Sequence, residues 1–266
     1  MKMKNKKITC LICFYINDDV KLFHKAFESI LNQTLVPDEI IICVDGEVYE
    51  NQRIEILRYK KVAKIIWLPK NLGHGEARKT ALKDVNNEFI AIFDSDDCSY
   101  PNRLSDLFNS IINDPKVGVV SGIIKENWSD GSVTFRNPKN LNFRLASPVN
   151  QNCCLIRNSA YKDSGGYVHW YHNEDTYLWV RMLKSKWKIK AVEKVLADVN
   201  LDVSSIRRRQ GFRYFYSEVK LRNLMYRESL ISLRDLLINI LIRILIQLIL
   251  PSLLYKKLYQ WRRREL

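Results

Sequence analysis

Two kinds of hydrophobic pattern follow one another along the first hundred residues of the chain. Short continuous apolar runs predict strands at residues 8–16, 39–44, 63–68 and 88–93. Segments with apolar residues at helical spacing lie between them and predict helices at residues 20–32, 51–61 and 76–85. Continuous apolar runs are typical of strands buried on both faces of a parallel sheet. The pattern therefore predicts an α/β fold built on a doubly wound, mostly parallel sheet.

The middle of the chain is less regular. Strands are predicted at residues 117–124, 132–136 and 151–157, and a helix is predicted at residues 176–183. The composition changes after residue 203, where a basic segment of helical spacing begins. We therefore expect a main domain over residues 1–203, with halves at 8–100 and 101–203, and a helical tail over residues 204–266.

Residues 236–250 of this tail form an unusually apolar segment, with 12 Leu or Ile at 15 positions. The exceptions are Asn239, Arg243 and Gln247, which recur every fourth residue and so share one side of a helix. A membrane-spanning helix needs about 20 apolar residues, more than this segment has. The pattern favours a helix that lies in a membrane surface. A helix packed on the main domain or on a second subunit is the alternative.

The distribution of charge along the chain indicates what kind of partner it binds. There are 43 Lys and Arg against 29 Asp and Glu, and residues 200–266 alone hold 14 against 5. Basic residues flank the apolar segment at 207–209, 256–257 and 262–264. Since no nucleic-acid motif occurs, this arrangement indicates an anionic membrane surface rather than nucleic acid. The short apolar run after the N-terminal lysines lacks a cleavage site, so we expect a cytoplasmic catalytic part.

Acidic residues follow two of the predicted strands. Asp45 follows the second strand, and Asp94, Asp96 and Asp97 follow the fourth. Open α/β sheets bind ligands at the carboxyl ends of their strands. Carboxylates so close together repel one another unless a cation lies among them, and Mg²⁺ or Mn²⁺ prefers such oxygen ligands. A solvated acidic turn is the alternative for this cluster.

Several segments together resemble a known family. They are residues 14–18, 28–34, 39–46, 71–78, 94–103, 165–167 and 174–181. Over roughly residues 8–200 the chain resembles family 2 glycosyltransferases of the GT-A fold, of the bacterial type that builds surface polysaccharides. The basic C-terminal region is similar to that of family members that act on lipid-linked oligosaccharides.

The resemblance implies residues that bind a nucleotide sugar. These residues are Phe14, Tyr15, Asn17, Asp45, Arg78, Asp94 and Ser95. Asp45 would hydrogen-bond the uracil of a UDP-sugar, and Phe14 and Tyr15 would line the base. Arg78 would lie near the ribose or the diphosphate.

The resemblance also implies a metal site and a base. Asp96 would be the main ligand of Mn²⁺ or Mg²⁺, and Asp94 would face the ribose or the metal. Asp175 would be the general base, with Glu174 as the competing candidate. Acidic residues are also favoured at a helix start, so capping is the alternative for this pair.

Aromatic residues before this pair are candidates for contact with the acceptor. Trp170 and Tyr171 would stack on a sugar, and His172 would touch an acceptor phosphate. Packing of the two aromatic rings and a solvated loop histidine are the alternatives.

The function implied by this resemblance is an inverting, metal-dependent glycosyltransferase. It would move one hexose, galactose or glucose, from a UDP-sugar to a polyprenyl-diphosphate-linked sugar. The product would serve the assembly of O-antigen, capsule or exopolysaccharide at the cytoplasmic face of the bacterial inner membrane, where the protein would be peripheral. Residues 210–214 lack the Trp of the Gln-x-x-Arg-Trp motif of processive members, which predicts transfer of a single sugar.

Two other classes of function remain to be distinguished. A nucleotidyltransferase on a related fold would have a glycine-rich basic loop after the first strand, where this chain has Asn17, Asp18 and Asp19. A catalytically silent membrane-docking subunit would not need Asp45, Asp96 and Asp175.

Overall fold

The computed structural model describes residues 7–140 and 144–263. Within these residues nine strands form one sheet. The strands are β1 (Ile8–Phe14), β2 (Glu39–Val44), β3 (Lys64–Trp67), β4 (Phe89–Phe93), β5 (Cys98–Ser99), β6 (Val117–Trp128), β7 (Val133–Arg136), β8 (Cys154–Arg157) and β9 (Lys188–Leu201). The helices are α1 (Val20–Leu31), α2 (Glu50–Leu57), α3 (His74–Ala81), α4 (Arg103–Ile111), α5 (Asn158–Asp163), α6 (Glu174–Lys184), α7 (Val203–Arg207), α8 (Phe212–Arg227), α9 (Leu233–Arg243) and α10 (Ser252–Trp261). A π-helical turn, Ile244–Ile249, continues α9.

The sheet is parallel in its first half and mixed in its second half. The strand order is β3-β2-β1-β4-β8-β6-β9-β5, and β7 pairs with β6. Strands β1 to β4 pair in parallel, whereas β8 runs antiparallel to β4 and β6 runs antiparallel to β8. The predicted doubly wound arrangement is thus observed in the first hundred residues. Because β1, β2 and β4 are parallel neighbours, their carboxyl ends meet at one edge.

Apolar layers cover both faces of the sheet. Helices α1, α2 and α4 supply one layer, in which Phe23, Phe27 and Leu107 are buried. Helices α3, α5 and α6 supply the other, in which Trp179 is among the largest buried side chains. Burial on both faces explains the continuous apolar runs of the central strands.

The second half of the sheet differs from the predicted elements. Residues 151–153 form a 3-10 turn, so the predicted strand 151–157 is only β8. Strand β9 was not predicted, because charged residues such as Lys190, Glu193 and Lys194 leave its first half largely exposed. Helix α4 was also missed, although Leu104, Leu107 and Ile111 have helical spacing.

The C-terminal helices pack on the main domain through polar residues. Asn239 donates to the carbonyl of Arg144 at 2.8 Å, and Arg243 donates to the carbonyl of Leu145 at 3.1 Å. Within the tail, Arg243 also pairs with buried Glu218 of α8 at 2.6 Å. Helix α10 is held on the β6–β7 hairpin by the hydrogen bond from Tyr259 to Glu126, at 2.6 Å. The predicted polar side of residues 236–250 is therefore present, but it faces protein.

The opposite side of these helices is apolar and exposed. We call this surface the apolar face, and it consists of Leu237, Ile238, Leu241, Ile242, Leu245, Leu248, Ile249, Leu253, Leu254, Leu258 and Trp261. Within residues 7–140 and 144–263, no helix is long and apolar enough to cross a membrane.

Candidate active site

Asp45 anchors a loop at the carboxyl edge of the sheet. Its two carboxylate oxygens accept hydrogen bonds from the backbone N–H groups of Leu72 and Gly73, at 2.7 and 2.9 Å. Gly46 has a φ of 95°, and a Cβ at this position would lie 2.6 Å from the backbone nitrogen of Asn71. Only glycine allows this approach. Asp45 is 6% exposed, and each oxygen retains a lone pair that can accept from a ligand.

Asp18 is a site residue that the sequence interpretation missed. Its Oδ2 accepts from the Ser95 hydroxyl at 2.7 Å and from the Tyr15 backbone N–H at 3.1 Å. Burial raises the pKa of Asp18 to about 7, and the carboxylates of Asp96 and Asp94 add to this effect. The only signal for Asp18 was its place in segment 14–18. Ser95, in contrast, lies at this edge as expected.

Three residues of the first strand and the loop after it were predicted to bind the nucleotide, and they lie in different surroundings. Tyr15 is half-buried, and its ring centroid lies 6.4 Å from that of His74. Asn17 is exposed. Phe14 is only 1% exposed and packs edge-on against Phe23 at 4.9 Å. Phe14 thus belongs to the core, and the expectation that its ring lines a bound base is wrong.

The acidic residues after β4 lie in different surroundings. Asp94 is half-buried, Asp96 is exposed and Asp97 is buried, where it accepts from the side-chain amide of Asn152. Neighbouring protein atoms still shield the Asp96 carboxylate from part of the water, which raises its pKa, and the carboxylate of Asp94 raises it further. Among the described residues, no group of three or more His, Cys, Asp or Glu is arranged to hold a metal ion. Two crowded carboxylates nevertheless fit a hard cation whose other ligands are phosphate oxygens and water.

Arg78 joins the two sides of the site. One guanidinium nitrogen lies 3.0 Å from Asp94, and the other lies 3.0 Å from Glu174. Burial disfavours the charged form, but the carboxylates, Asp94 foremost, raise the pKa of Arg78 above its usual range. Arg78 is therefore a buried cation. Glycine at position 75 makes this contact possible, since a Cβ there would lie 2.7 Å from the carbonyl of Val168.

The acidic pair at the start of α6 divides into two roles. Burial raises the pKa of Glu174 to about 7 against the effect of Arg78, and Glu174 is held by that ion pair. Asp175 accepts from the N–H of Thr176 at 2.6 Å, and it forms no ion pair with any described residue. Burial also raises the pKa of Asp175. Asp175 is thus the carboxylate of this pair that is available to a ligand.

The loop before this pair packs on α8. Trp170 donates to Ser217 at 3.0 Å, and its ring centroid lies 4.5 Å from that of Tyr177. Trp170 thus packs through one part of its ring system and is half-buried, and its contact with a sugar stays a prediction. Tyr171 is half-buried, and His172 is exposed with a φ of 54°. These two remain at the surface next to Asp175.

Arg208 is another residue near the site that the sequence interpretation did not include. Partial shielding from water raises the pKa of Asp96, and the positive charge of Arg208 acts in the opposite direction. The segment 207–209 was assigned to lipid as a whole. The structure brings at least Arg208 within electrostatic reach of the acidic residues.

Comparison with known proteins identifies the family. Residues 9–163, more than half of the chain, match the family model described as Glycosyl transferase family 2. The chain belongs to this family. It is therefore a glycosyltransferase, as the resemblance implied.

Curated relatives extend the match beyond this segment. The chain is 29% identical, over 88% of its own length and 88% of the relative's, to UDP-Gal:alpha-D-GlcNAc-diphosphoundecaprenol beta-1,3-galactosyltransferase of Escherichia coli. It is 27% identical to the amylovoran biosynthesis glycosyltransferase AmsE of Erwinia amylovora, over 80% of this chain and 84% of AmsE. The E. coli glucosyltransferase WfgD, which is named for the same kind of acceptor, is 27% identical over 60% of this chain and 63% of WfgD.

Solved structures confirm the GT-A fold. TarS of S. aureus in complex with UDP-GlcNAc superposes with a TM-score of 0.65 at 18% identity, over 90% of this chain and 72% of that one. The mannosyltransferase PcManGT of Pyrobaculum calidifontis, in complex with GDP-Man and Mn²⁺, gives 0.64 at 15% identity, over 97% and 79%.

Proposed function

We propose that this glycosyltransferase moves one hexose, with inversion, from a UDP-sugar to N-acetylglucosamine linked to a polyprenyl diphosphate. The observation that carries the proposal is the buried cation Arg78, which pairs with the donor-side Asp94 and with Glu174 at the start of α6, next to Asp175. The names of the relatives from E. coli support the acceptor and favour UDP-galactose or UDP-glucose as the donor. The product would enter surface polysaccharide assembly, as the name of AmsE suggests.

The carboxyl edge of the sheet would bind the donor. Asp45 would accept from the uracil N–H with its remaining lone pairs, and Tyr15 would lie beside the base. Asp96, with Asp94, would hold Mn²⁺ or Mg²⁺ together with the diphosphate oxygens. When bound, such an ion supplies Lewis-acid stabilisation of the negative charge on the departing UDP.

Asp175 would act as the general base. It would take the proton from the acceptor hydroxyl while the hydroxyl oxygen forms a bond to the anomeric carbon. The bond from that carbon to the UDP oxygen breaks on the opposite face, which inverts the configuration. The ion pair with Arg78 keeps Glu174 out of this role, because protonation of Glu174 would leave Arg78 buried with a weaker partner.

The apolar face would lie on an anionic membrane. Its residues are more than a third exposed, and exposed patches of this kind mark interaction sites. The cations Lys257 and Arg262 border it on α10 and are exposed, so their charge complements anionic headgroups. We infer a peripheral enzyme at the cytoplasmic face of the inner membrane, where lipid-linked substrates are available to it.

A donor panel tests the proposal. Purified protein is incubated with UDP-, GDP- and dTDP-sugars, with short-chain lipid-diphosphate-GlcNAc, and with or without Mn²⁺ or Mg²⁺. We expect one UDP-hexose to be consumed, only with both acceptor and divalent ion, to give a β-linked product. Transfer to no acceptor from any donor, with UDP binding intact by calorimetry, would favour the silent docking subunit instead.

A further inference from the structure

A turn rich in arginine lies between the apolar face and the acceptor side of the site. The turn joins α7 to α8 and contains Arg208 and Arg209, and Arg213 follows in the first turn of α8. We call residues 208–213 the arginine turn. The side-chain amide of Gln210 donates to the carbonyls of Ile246 and Leu250, at 3.0 and 2.8 Å. These bonds attach the arginine turn directly to the π-helical segment that carries the apolar face.

The other side of the turn contacts the loop before Asp175. The Arg213 guanidinium lies 4.2 Å from the centre of the Tyr171 ring. The Tyr171 and His172 rings are 4.4 Å apart, and the His172 ring is 6.0 Å from that of Tyr214. The arginine turn is therefore connected by direct contacts to residues that precede the proposed base by only a few positions.

The positive charges of this turn lack anionic partners. Arg209 and Arg213 are exposed, and neither forms an ion pair with any residue in the described ranges. These charges act on one neighbour: partial shielding from water lowers the pKa of His172, and the charges of Arg208, Arg209 and Arg213 lower it further. Like charges gathered beside one residue favour a bound anion, which relieves their repulsion.

The order of these surfaces matches the order of groups in the proposed acceptor. Along the protein the apolar face comes first, then Arg209 and Arg213, and then Asp175. Along a polyprenyl-diphosphate-linked sugar the hydrocarbon comes first, then the diphosphate, and then the sugar hydroxyl. Arginine binds phosphate oxygens bidentately, which suits a diphosphate.

We propose that Arg209 and Arg213 form the binding site for the diphosphate of the lipid-linked acceptor. This inference rests on the proposed function. Arg208 is not part of this pair, because its charge also acts on the donor-side Asp96. The arginine turn thus holds the acceptor between the membrane and the base.

The test compares two acceptors in detergent micelles, so that bilayer binding has no part in the result. One is a short-chain lipid-diphosphate-GlcNAc, and the other is an alkyl glycoside of GlcNAc without the diphosphate. The variants are Arg209→Ala and Arg213→Ala, with Arg209→Lys and Arg213→Lys as charge-retaining forms. The matched control is Arg227→Ala with Lys83→Ala, which removes two exposed cations to which no role is assigned.

We expect each alanine variant to raise KM for the diphosphate acceptor by about tenfold or more, the effect of one charge-assisted hydrogen bond. The donor KM, the Kd for UDP and turnover of the alkyl glycoside should not change. The lysine variants should recover part of the loss, and the control pair should behave as wild type. Wild type should prefer the diphosphate acceptor by at least the factor that the alanine variants lose.

Three results would overturn the inference. A weaker Kd for UDP in the alanine variants would assign these arginines to the donor diphosphate. Weaker binding to anionic vesicles with an unchanged acceptor KM in micelles would assign them to lipid headgroups. An equal loss on both acceptors would indicate a structural role. Failure of the proposed function is separate, since it would appear as absence of transfer by wild type to either acceptor.

Discussion

The parallel half of the sheet and the C-terminal helices use polar residues in opposite ways. In the first hundred residues apolar side chains fill both sides of the sheet, and polar side chains gather at the strand ends. In helices α9 and α10 the polar side chains of Asn239, Arg243 and Gln260 face the protein, and most Leu and Ile side chains face outward. Asn239 is fully buried, whereas Leu241 is 66% exposed.

This contrast indicates what each region is built to contact. A strand end with crowded carboxylates is a site for a polar, cationic or phosphorylated ligand in water. A helix with buried Arg243 and exposed leucines suits a second solvent that is itself apolar. An apolar stripe in a sequence thus marks one side of a helix without deciding whether that side faces protein or lipid.

The largest expected effect is at the proposed base. Asp175→Asn should lower kcat by about a thousandfold, within the range of general base catalysis, with the donor KM little changed. Glu174→Gln should cost much less, because Glu174 is held by Arg78 and does not meet the acceptor. Initial rates with saturating donor measure both, and a larger loss in Glu174→Gln would exchange the two roles.

The next effect is on stability and concerns the buried ion pairs. Arg78→Met should reduce the free energy of unfolding by about 3 kcal/mol, because it leaves Glu174 buried without its cation. Lys79→Met is the matched control on the same helix, since its ion pair with Glu76 is exposed, and it should change stability by less than about 0.5 kcal/mol. Urea denaturation measures the free energy of unfolding of both variants. Equal losses of stability in Arg78→Met and Lys79→Met would contradict a bridging role for Arg78.

A smaller effect is expected for variants on the two sides of α9, one of which should change membrane binding and the other stability. The double variant Leu241→Asn, Leu245→Asn should lower binding to anionic vesicles by about tenfold, with stability nearly unchanged because both side chains are exposed. Arg243→Met should instead lower stability and leave vesicle binding nearly unchanged, since it removes the buried partner of Glu218. Vesicle sedimentation measures the binding of both variants, and urea denaturation measures their stability. Loss of stability in the leucine variant would mean that the apolar face packs on protein.

The smallest effect is a pH dependence at Asp18. Its pKa is raised to about 7 in the folded protein, so the folded state holds a proton that the unfolded state releases near pH 4. This contribution to stability is complete below pH 4 and is lost as the pH rises through 7. In the ligand-free protein, the Tm of wild type relative to Asp18→Asn should therefore fall between pH 4 and 7.5. A constant difference in Tm would contradict the raised pKa.

Much of the first half was predictable because its signals are local. Each central strand is a continuous apolar run, and Asp45, Asp94 and Asp96 follow strands directly. The second half was harder, because the pairing of β8 between β4 and β6 is set by contacts distant in sequence. Strand β9 carries so many charges that it has no apolar run. The burial of Phe14 and the packing of Trp170 depend on neighbours, Phe23 and Tyr177, that sequence alone does not bring together.

The roles of site residues were predictable only in part for the same reason. The pair Glu174 and Asp175 is visible in the sequence, but the contact with Arg78 that distinguishes them joins residues 96 positions apart in the chain. The arginine turn was visible as a charge run. Its attachment to Ile246 and its contact with Tyr171 required the fold.

The most direct test of this account is sugar transfer to a long-chain lipid-diphosphate-GlcNAc in anionic vesicles, compared with transfer to a water-soluble short-chain acceptor. We expect wild type to use both acceptors. The double variant Leu241→Asn, Leu245→Asn should be slow on vesicles and equal to wild type on the soluble acceptor. Equal rates of variant and wild type on vesicles would contradict a membrane role for the apolar face, and no transfer by wild type to either acceptor would contradict the proposed reaction itself.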